Sequence, residues 1–211
     1  MAFIFDLDGT LLNSLDDMMN SLNQVLESHG LASHGREAYQ KFVGNGMVKL
    51  VERACPTDYE NKDQVLADFL EVYKERYYEL SRPYPGVIEM LKDLNRHKIP
   101  IGICTNKKQE YTDKIVELFF NEIDFVSVYG DRFEGKEKPS AHYPLSIAKE
   151  MGIKPEQIYF VGDSDVDIYT ALNSHMIPVG VSWGFRSVDE LKTAGASYIV
   201  NTASEVFELL K

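Results

Sequence analysis

Little in this chain points to an oxidising compartment, a membrane or a polyanion. It has two cysteines, Cys55 and Cys104, too few for a disulfide framework. A reducing cytoplasm is the simplest compartment. No apolar run approaches the roughly 18–20 residues that cross a bilayer. The chain enters a strand at once, so no signal or transit peptide is expected. Basic residues are scarce: 22 Lys and Arg stand against 33 Asp and Glu, a formal net charge of −11. Nucleic acids and anionic membranes are bound chiefly through basic surface, so neither is an expected partner. A small anionic substrate stays compatible, because a site can be locally positive. The chain has a single tryptophan and no internal repeat or low-complexity stretch. Its five histidines, His29, His34, His97, His142 and His175, lack zinc or iron spacing and read as structural or exposed.

What is present fits a globular protein. The 211 residues, 44% hydrophobic and 26% charged, suffice for one large domain or one domain carrying an insert. The opening stretch "FIFDLDGTLLNS" begins as a buried strand and ends in Asp6 and Asp8. Residues i and i+2 of a strand share a face, so two like charges are aimed at one spot. From Ser14 the apolar spacing turns helical, with Leu15, Met18 and Leu22 in phase. Ser14 and Asp17 look like an N-cap box, and Gly30 like a helix stop. Further helices are expected near 36–43, 46–54 and 61–80, before Pro83 and Pro85. From Gly86 helices and apolar strands alternate: "IPIGIC", "DFVSVY", "QIYFVG" and "IPVGV", with helices at 107–119, 140–151 and 165–174 among them. That alternation predicts an α/β fold: a Rossmann-like parallel sheet core with an inserted helical cap. The boundaries are 1–13 and 82–211 for the core and 14–81 for the cap, with a cleft between them.

In open parallel sheets ligands bind beyond the carboxyl ends of strands, so those ends carry the chemistry. The first strand ends in Asp6-Leu7-Asp8-Gly9-Thr10, the second in Cys104-Thr105-Asn106-Lys107. The loop "GDRFEGKEKPS" brings Lys136 and Lys138, and "QIYFVG" runs into Asp163-Ser164-Asp165-Val166-Asp167. "DLDGTLLNS", "ICTNK", "KEKPS" and "VGDSDVDI", in that order, resemble the four motifs of the haloacid dehalogenase superfamily. "RPYPGV" and "FVGNGMVKLVERA" are similar to flanking and cap segments of its phosphoglycolate phosphatase-like branch.

The resemblance implies a phosphatase. Asp6 would be the nucleophile and a magnesium ligand. Asp8 would be the general acid/base, with its main-chain carbonyl on the metal. Thr105, with the neighbouring amides at Asn106, would bind phosphoryl oxygens. Lys138, picked over Lys136 by the proline after it, would bind the same phosphoryl group. Asp163 would complete the metal set, and Asp167 would support the metal's waters or Lys138. Relatives usually have a second proline in the third motif, where this chain has Ser140-Ala141. The turn Gly44-Asn45-Gly46 lacks the strand and third glycine of a dinucleotide loop. By resemblance it looks down on the substrate, with Lys49 beyond it in reach of an anionic group. Lys107 stays open between a contributor of charge and a solvated helix-start residue. The expected cofactor is Mg2+ and the expected partner a small phosphorylated metabolite, bound by a monomer or homodimer. Rival readings are a pyrophosphatase or sugar phosphomutase of the same superfamily, and a non-enzymatic phosphoryl-receiver domain.

Overall fold

The computed structural model describes residues 1–210. Its centre is β1 (Ala2–Phe5), buried along its whole length. Phe3 and Phe5 face one apolar cluster, while Ala2 and Ile4 face another on the opposite side. A strand with apolar residues at both parities must be covered on both faces, which is what places it mid-sheet. The other strands are β4 (Ile101–Lys108), β5 (Ser127–Asp131), β6 (Ile158–Gly162), β7 (Ile177–Val181) and β8 (Tyr198–Val200). They form a six-stranded sheet in the order β5-β4-β1-β6-β7-β8, with every pairing parallel.

Among the described residues, six helices cover this sheet: α5 (Val87–Arg96), α6 (Gln109–Phe119), α7 (His142–Met151), α8 (Asp165–Asn173), α9 (Val188–Ala194) and α10 (Ala203–Glu208). Met90, Leu91 and Leu94 of α5, Ile115 of α6 and Val206 of α10 pack on the Phe3/Phe5 side. Tyr143, Ile147 and Ala148 of α7 pack on the Ile4 side with Phe160. The chain moves outward from β1 to β4 and β5, then crosses back to β6 and continues the other way. The reversal therefore lies at β1, where the crevice of such sheets opens.

Four helices lie between the short strands β2 (Leu12–Asn13) and β3 (Arg82–Pro83): α1 (Leu15–Ser28), α2 (Arg36–Phe42), α3 (Gly46–Ala54) and α4 (Lys62–Arg76). β2 and β3 pair antiparallel, Leu12 opposite Pro83 and Asn13 opposite Arg82, so the helical segment leaves and rejoins the sheet at one place. No helix among the described residues is long and apolar enough to cross a membrane.

Three local expectations need correcting. First, α4 stops at Arg76 rather than near residue 80. Second, Ser14 and Asp17 form no cap box: the Ser14 side chain makes no capping hydrogen bond. The Asp17 carboxylate instead accepts from Ser81 N at 2.8 Å, Ser81 Oγ at 2.6 Å and Leu80 N at 2.9 Å. It ties the start of the helical segment to its end, a long-range demand that outweighs a local cap. Third, β4 does not end at Cys104. It runs on to Lys108 beside β5, with a register shift between Cys104 and Lys108. Lys107 is thus a strand residue, not the first residue of a helix.

Candidate active site

The loops after β1, β4 and β6 and the turn after β5 meet above the sheet's carboxyl end. β1 pairs with β6 in register from Ala2–Ile158 to Phe5–Val161, and Asp6 N donates to Val161 O at 2.9 Å. That register sets Asp6 beside Asp163 although 157 positions separate them. Asp6, Asp163 and Asp167 are all buried and offer oxygens within 4.8 Å of one another.

Lys138 is the counter-charge. Its buried ammonium lies 2.8 Å from Asp6 Oδ1 and donates to Asp167 Oδ1 at 2.5 Å. That ammonium is the one partner found for Asp6 Oδ1 among the described residues. Burial works against the Lys138 ammonium, yet Asp167 and Asp6 hold its pKa above the usual lysine range. One ammonium among three carboxylates leaves an excess of negative charge. Burial pushes the Asp6 carboxyl up to about 7, against the pull of Lys138 and with Asp167 and Asp8 adding to the rise. Burial raises Asp163 well above the ordinary carboxylate range, and Asp167 and Asp6 add to it.

Asp167 is already fully engaged. Its Oδ2 accepts from Asp163 N, Ser164 N and Ser164 Oγ at 3.2, 3.0 and 2.7 Å, closing a capping box at the start of α8. Asp163 is held by Phe185 N at 2.7 Å and Thr10 Oγ1 at 3.3 Å. The carboxylates with capacity to spare are Asp6 and Asp163. Their hard oxygens and the unbalanced charge fit a divalent metal ion, and the cluster can hold one.

Glycine makes the crowding possible. A Cβ on Gly9 would lie 2.3 Å from Asp163 Oδ2, and one on Gly184 would lie 2.1 Å from Asp163 Cβ. Gly9 also has φ +89°, a left-handed conformation that disfavours any side chain.

Asp8 points elsewhere. Its carboxylate accepts from Lys107 Nζ at 3.1 and 3.2 Å, and Lys107 also donates to Tyr73 Oη of α4 at 2.9 Å. The Lys107 side chain is fully buried. Burial opposes its charge, but Asp8 and Tyr73 raise its pKa above the usual range. Thr105 and Lys107, two residues apart on β4, both line the cleft. Continuing the strand past Cys104 in the sequence would have put them on one face; ending it there hid Lys107. Tyr73 is a fully buried core residue and also carries this hydroxyl contact.

Asn106 braces the site. Its Oδ1 accepts from Lys138 N at 2.7 Å, and its Nδ2 donates to Lys138 O at 3.1 Å and Gly44 O at 3.3 Å. Gly44 lines the cleft from the helical side. Asn45 and Lys49 do not: Asn45 Oδ1 accepts from Arg53 at 2.7 Å, and exposed Lys49 pairs with Glu52 at 2.6 Å. Arg186, which sequence reasoning passed over, bonds to Gln40 O and to Val43 O at 2.7 Å, fastening the turn before α3 to the core. Asp165 is half exposed, 3.9 Å from Arg186. The remaining cleft holds about 50 Å³ of open space.

This constellation has relatives. The sequence profile of the haloacid dehalogenase-like hydrolases matches residues 3–181. The chain belongs to the haloacid dehalogenase-like hydrolase family. It is 30% identical to a phosphoglycolate phosphatase of Chromobacterium violaceum, across 100% of this chain and 96% of that protein. With a phosphoglycolate phosphatase of Pseudomonas fluorescens it shares 33% identity over 87% of this chain and 70% of that one. A crystal structure described as a predicted phosphoglycolate phosphatase, from Haemophilus somnus, superposes with a TM-score of 0.89. That structure is 27% identical and covers 100% of this chain and 97% of its own. The chain is thus a haloacid dehalogenase-like enzyme of the phosphatase kind.

Proposed function

We propose that the protein is a magnesium-dependent phosphatase that hydrolyses a small phosphate monoester through an aspartyl-phosphate on Asp6. The observation that carries this reading is the meeting of Asp6, Asp163, Asp167 and Lys138 at one point beyond β1 and β6, with Thr105 on the same cleft. Asp6 and Asp163, with the main-chain carbonyl of Asp8, would hold the magnesium ion. Bound there, the ion would neutralise the carboxylates and draw charge from the phosphoryl oxygens.

The Asp6 carboxylate attacks phosphorus, and the bond from phosphorus to the alcohol oxygen breaks. The departing oxygen takes the proton that Asp8 carries. Water then attacks the aspartyl-phosphate, gives a proton to Asp8, and frees inorganic phosphate and the Asp6 carboxylate. Dividing the reaction helps because phosphate monoesters are among the slowest of all esters to hydrolyse unaided. Thr105 and Lys138 bind the phosphoryl oxygens, and Asn106 holds the Lys138 loop in place through its backbone. Residues 14–81 act as a cap over a core of 1–13 and 82–211. The cleft is narrow, and lifting of the cap would widen it for the substrate.

Phosphoglycolate is the first substrate to assay, since the relatives are named for it. Phosphate release is measured from phosphorylated metabolites and pyrophosphate, with and without magnesium. Wild type is expected to turn over at least one monoester only with the metal, and Asp6→Asn none. Full activity in Asp6→Asn would overturn the mechanism.

A further inference from the structure

The side of the cleft built by the helical segment has no charge of its own to offer. Beyond Asp6, Asp8, Thr105, Asn106, Lys107 and Lys138, the lining is Met18, Val43, Gly44, Gly46, Met47 and Leu50 from the helical segment, with Phe185 from the core. Both lysines on the cleft are committed: Lys138 to Asp6 and Asp167, Lys107 to Asp8 and Tyr73. The nearby cations of the helical segment point away. Arg36 pairs with Asp16, Lys49 with Glu52, and Arg53 bonds to Phe42 O and Asn45. Arg186 is taken up by Gln40 O and Val43 O. A second anionic group on the substrate would lose its water among methionine, valine and leucine side chains without an ammonium or guanidinium to receive it. An unpaired buried charge is among the least favourable states a site can impose.

We infer that this enzyme selects phosphate monoesters whose alcohol part is small, uncharged and apolar, and that it discriminates against those carrying a carboxylate, phosphoglycolate included. The inference rests on the phosphatase reading and adds the class of leaving group. Met18, Val43, Met47 and Leu50 are then specificity-determining residues. The rival groups are the turn Gly44-Asn45-Gly46, through its backbone amides at the start of α3, and the Lys107 ammonium, which would have to turn from Asp8 and Tyr73 to take the carboxylate.

Isobutyl phosphate is the uncharged isostere of phosphoglycolate, with two methyl groups in place of two carboxylate oxygens. The expected result is a kcat/KM at least about tenfold higher for isobutyl phosphate, the scale on which apolar pockets discriminate. Met47→Lys, which puts an ammonium into the cleft, is expected to shift the ratio towards phosphoglycolate by about tenfold or more. Binding is read separately with non-hydrolysable phosphonates in calorimetry. 3-Methylbutylphosphonate should bind more tightly than 3-phosphonopropionate to the wild type, and Met47→Lys should narrow the gap. Preference of the wild type for phosphoglycolate and for 3-phosphonopropionate would overturn the inference while leaving a phosphatase. No turnover of any monoester, with the phosphonate order as expected, would instead overturn the phosphatase reading and leave the selectivity of the cleft.

Discussion

Replacing Lys107 by methionine removes one charge from the cleft and little volume. In the folded protein the Lys107 side chain is fully buried, and it donates to both oxygens of Asp8 and to Tyr73. The variant leaves Asp8, whose side chain is only 17% exposed, without its partner. Removing one member of a buried ion pair costs about 3–5 kcal/mol, and the residual water at Asp8 puts this case near about 3. For a chain of this size each kcal/mol moves Tm by about 2–4 °C, so a fall of about 6–12 °C is expected. The catalytic effect has its own signature. If Lys107 aims the Asp8 proton at the leaving oxygen, the loss follows how badly the leaving group needs that proton. A hydrogen bond to a charged group is worth about 1.5–3 kcal/mol, or roughly 10- to 150-fold in rate. kcat/KM reports phosphoryl transfer to Asp6, so it isolates the step that uses the acid. Lys107→Met should lose that factor on isobutyl phosphate. It should lose much less on acetyl phosphate, whose acetate departs without a proton. Tyr73→Phe, which removes only the hydroxyl, should show the same pattern in milder form. Equal losses on both substrates would refute the positioning argument, and an unchanged Tm would refute the burial argument.

Asp17→Ala removes the acceptor for Leu80 N, Ser81 N and Ser81 Oγ at the root of the helical segment. Denaturant unfolding should register about 2–4 kcal/mol of destabilisation, and a wild-type midpoint would show these contacts to be replaceable by water. Gly184→Ala drives a methyl to within 2.1 Å of Asp163 Cβ, so metal affinity by titration calorimetry should fall at least about tenfold while far-UV circular dichroism is retained. The raised pKa of Asp6, about 7 against 3.8, gives a signed pH dependence in the metal-free protein. Between those values the native state binds the extra proton, so the Asp6 contribution is favourable below about 4 and is lost as pH rises through about 7. In chelator, the Tm of wild type should therefore fall relative to Asp6→Asn over that window, and parallel curves would contradict the assigned environment.

Local pattern was enough for much of this molecule. β1 is apolar at both parities, and a strand of that kind has to lie inside a covered sheet. The alternation after Gly86 demands parallel pairing, since each helix returns the chain to the same edge direction. The positions of Asp6, Thr105 and Asp163 were legible because continuous apolar runs stop just before them and polar residues with distinct chemistry begin. The acidic balance and the few cysteines narrowed the class of partner before any fold was known. Other features depend on residues far apart in sequence, and no local window contains them. Asp17 looks like half of a helix cap until Ser81, 64 residues later, claims its carboxylate. Lys107 looks like a solvated helix start until β5 extends β4 past Cys104 and turns the ammonium inward to Asp8 and Tyr73. Lys49 carries the right charge on the right segment, but α3 turns it outward to Glu52 and presents Met47 and Leu50 to the cleft instead. Sequence decided which groups the chain has and where each strand delivers them. Only the packing of the helical segment on the sheet decided which charges cancel one another, and so what remains free to meet a substrate.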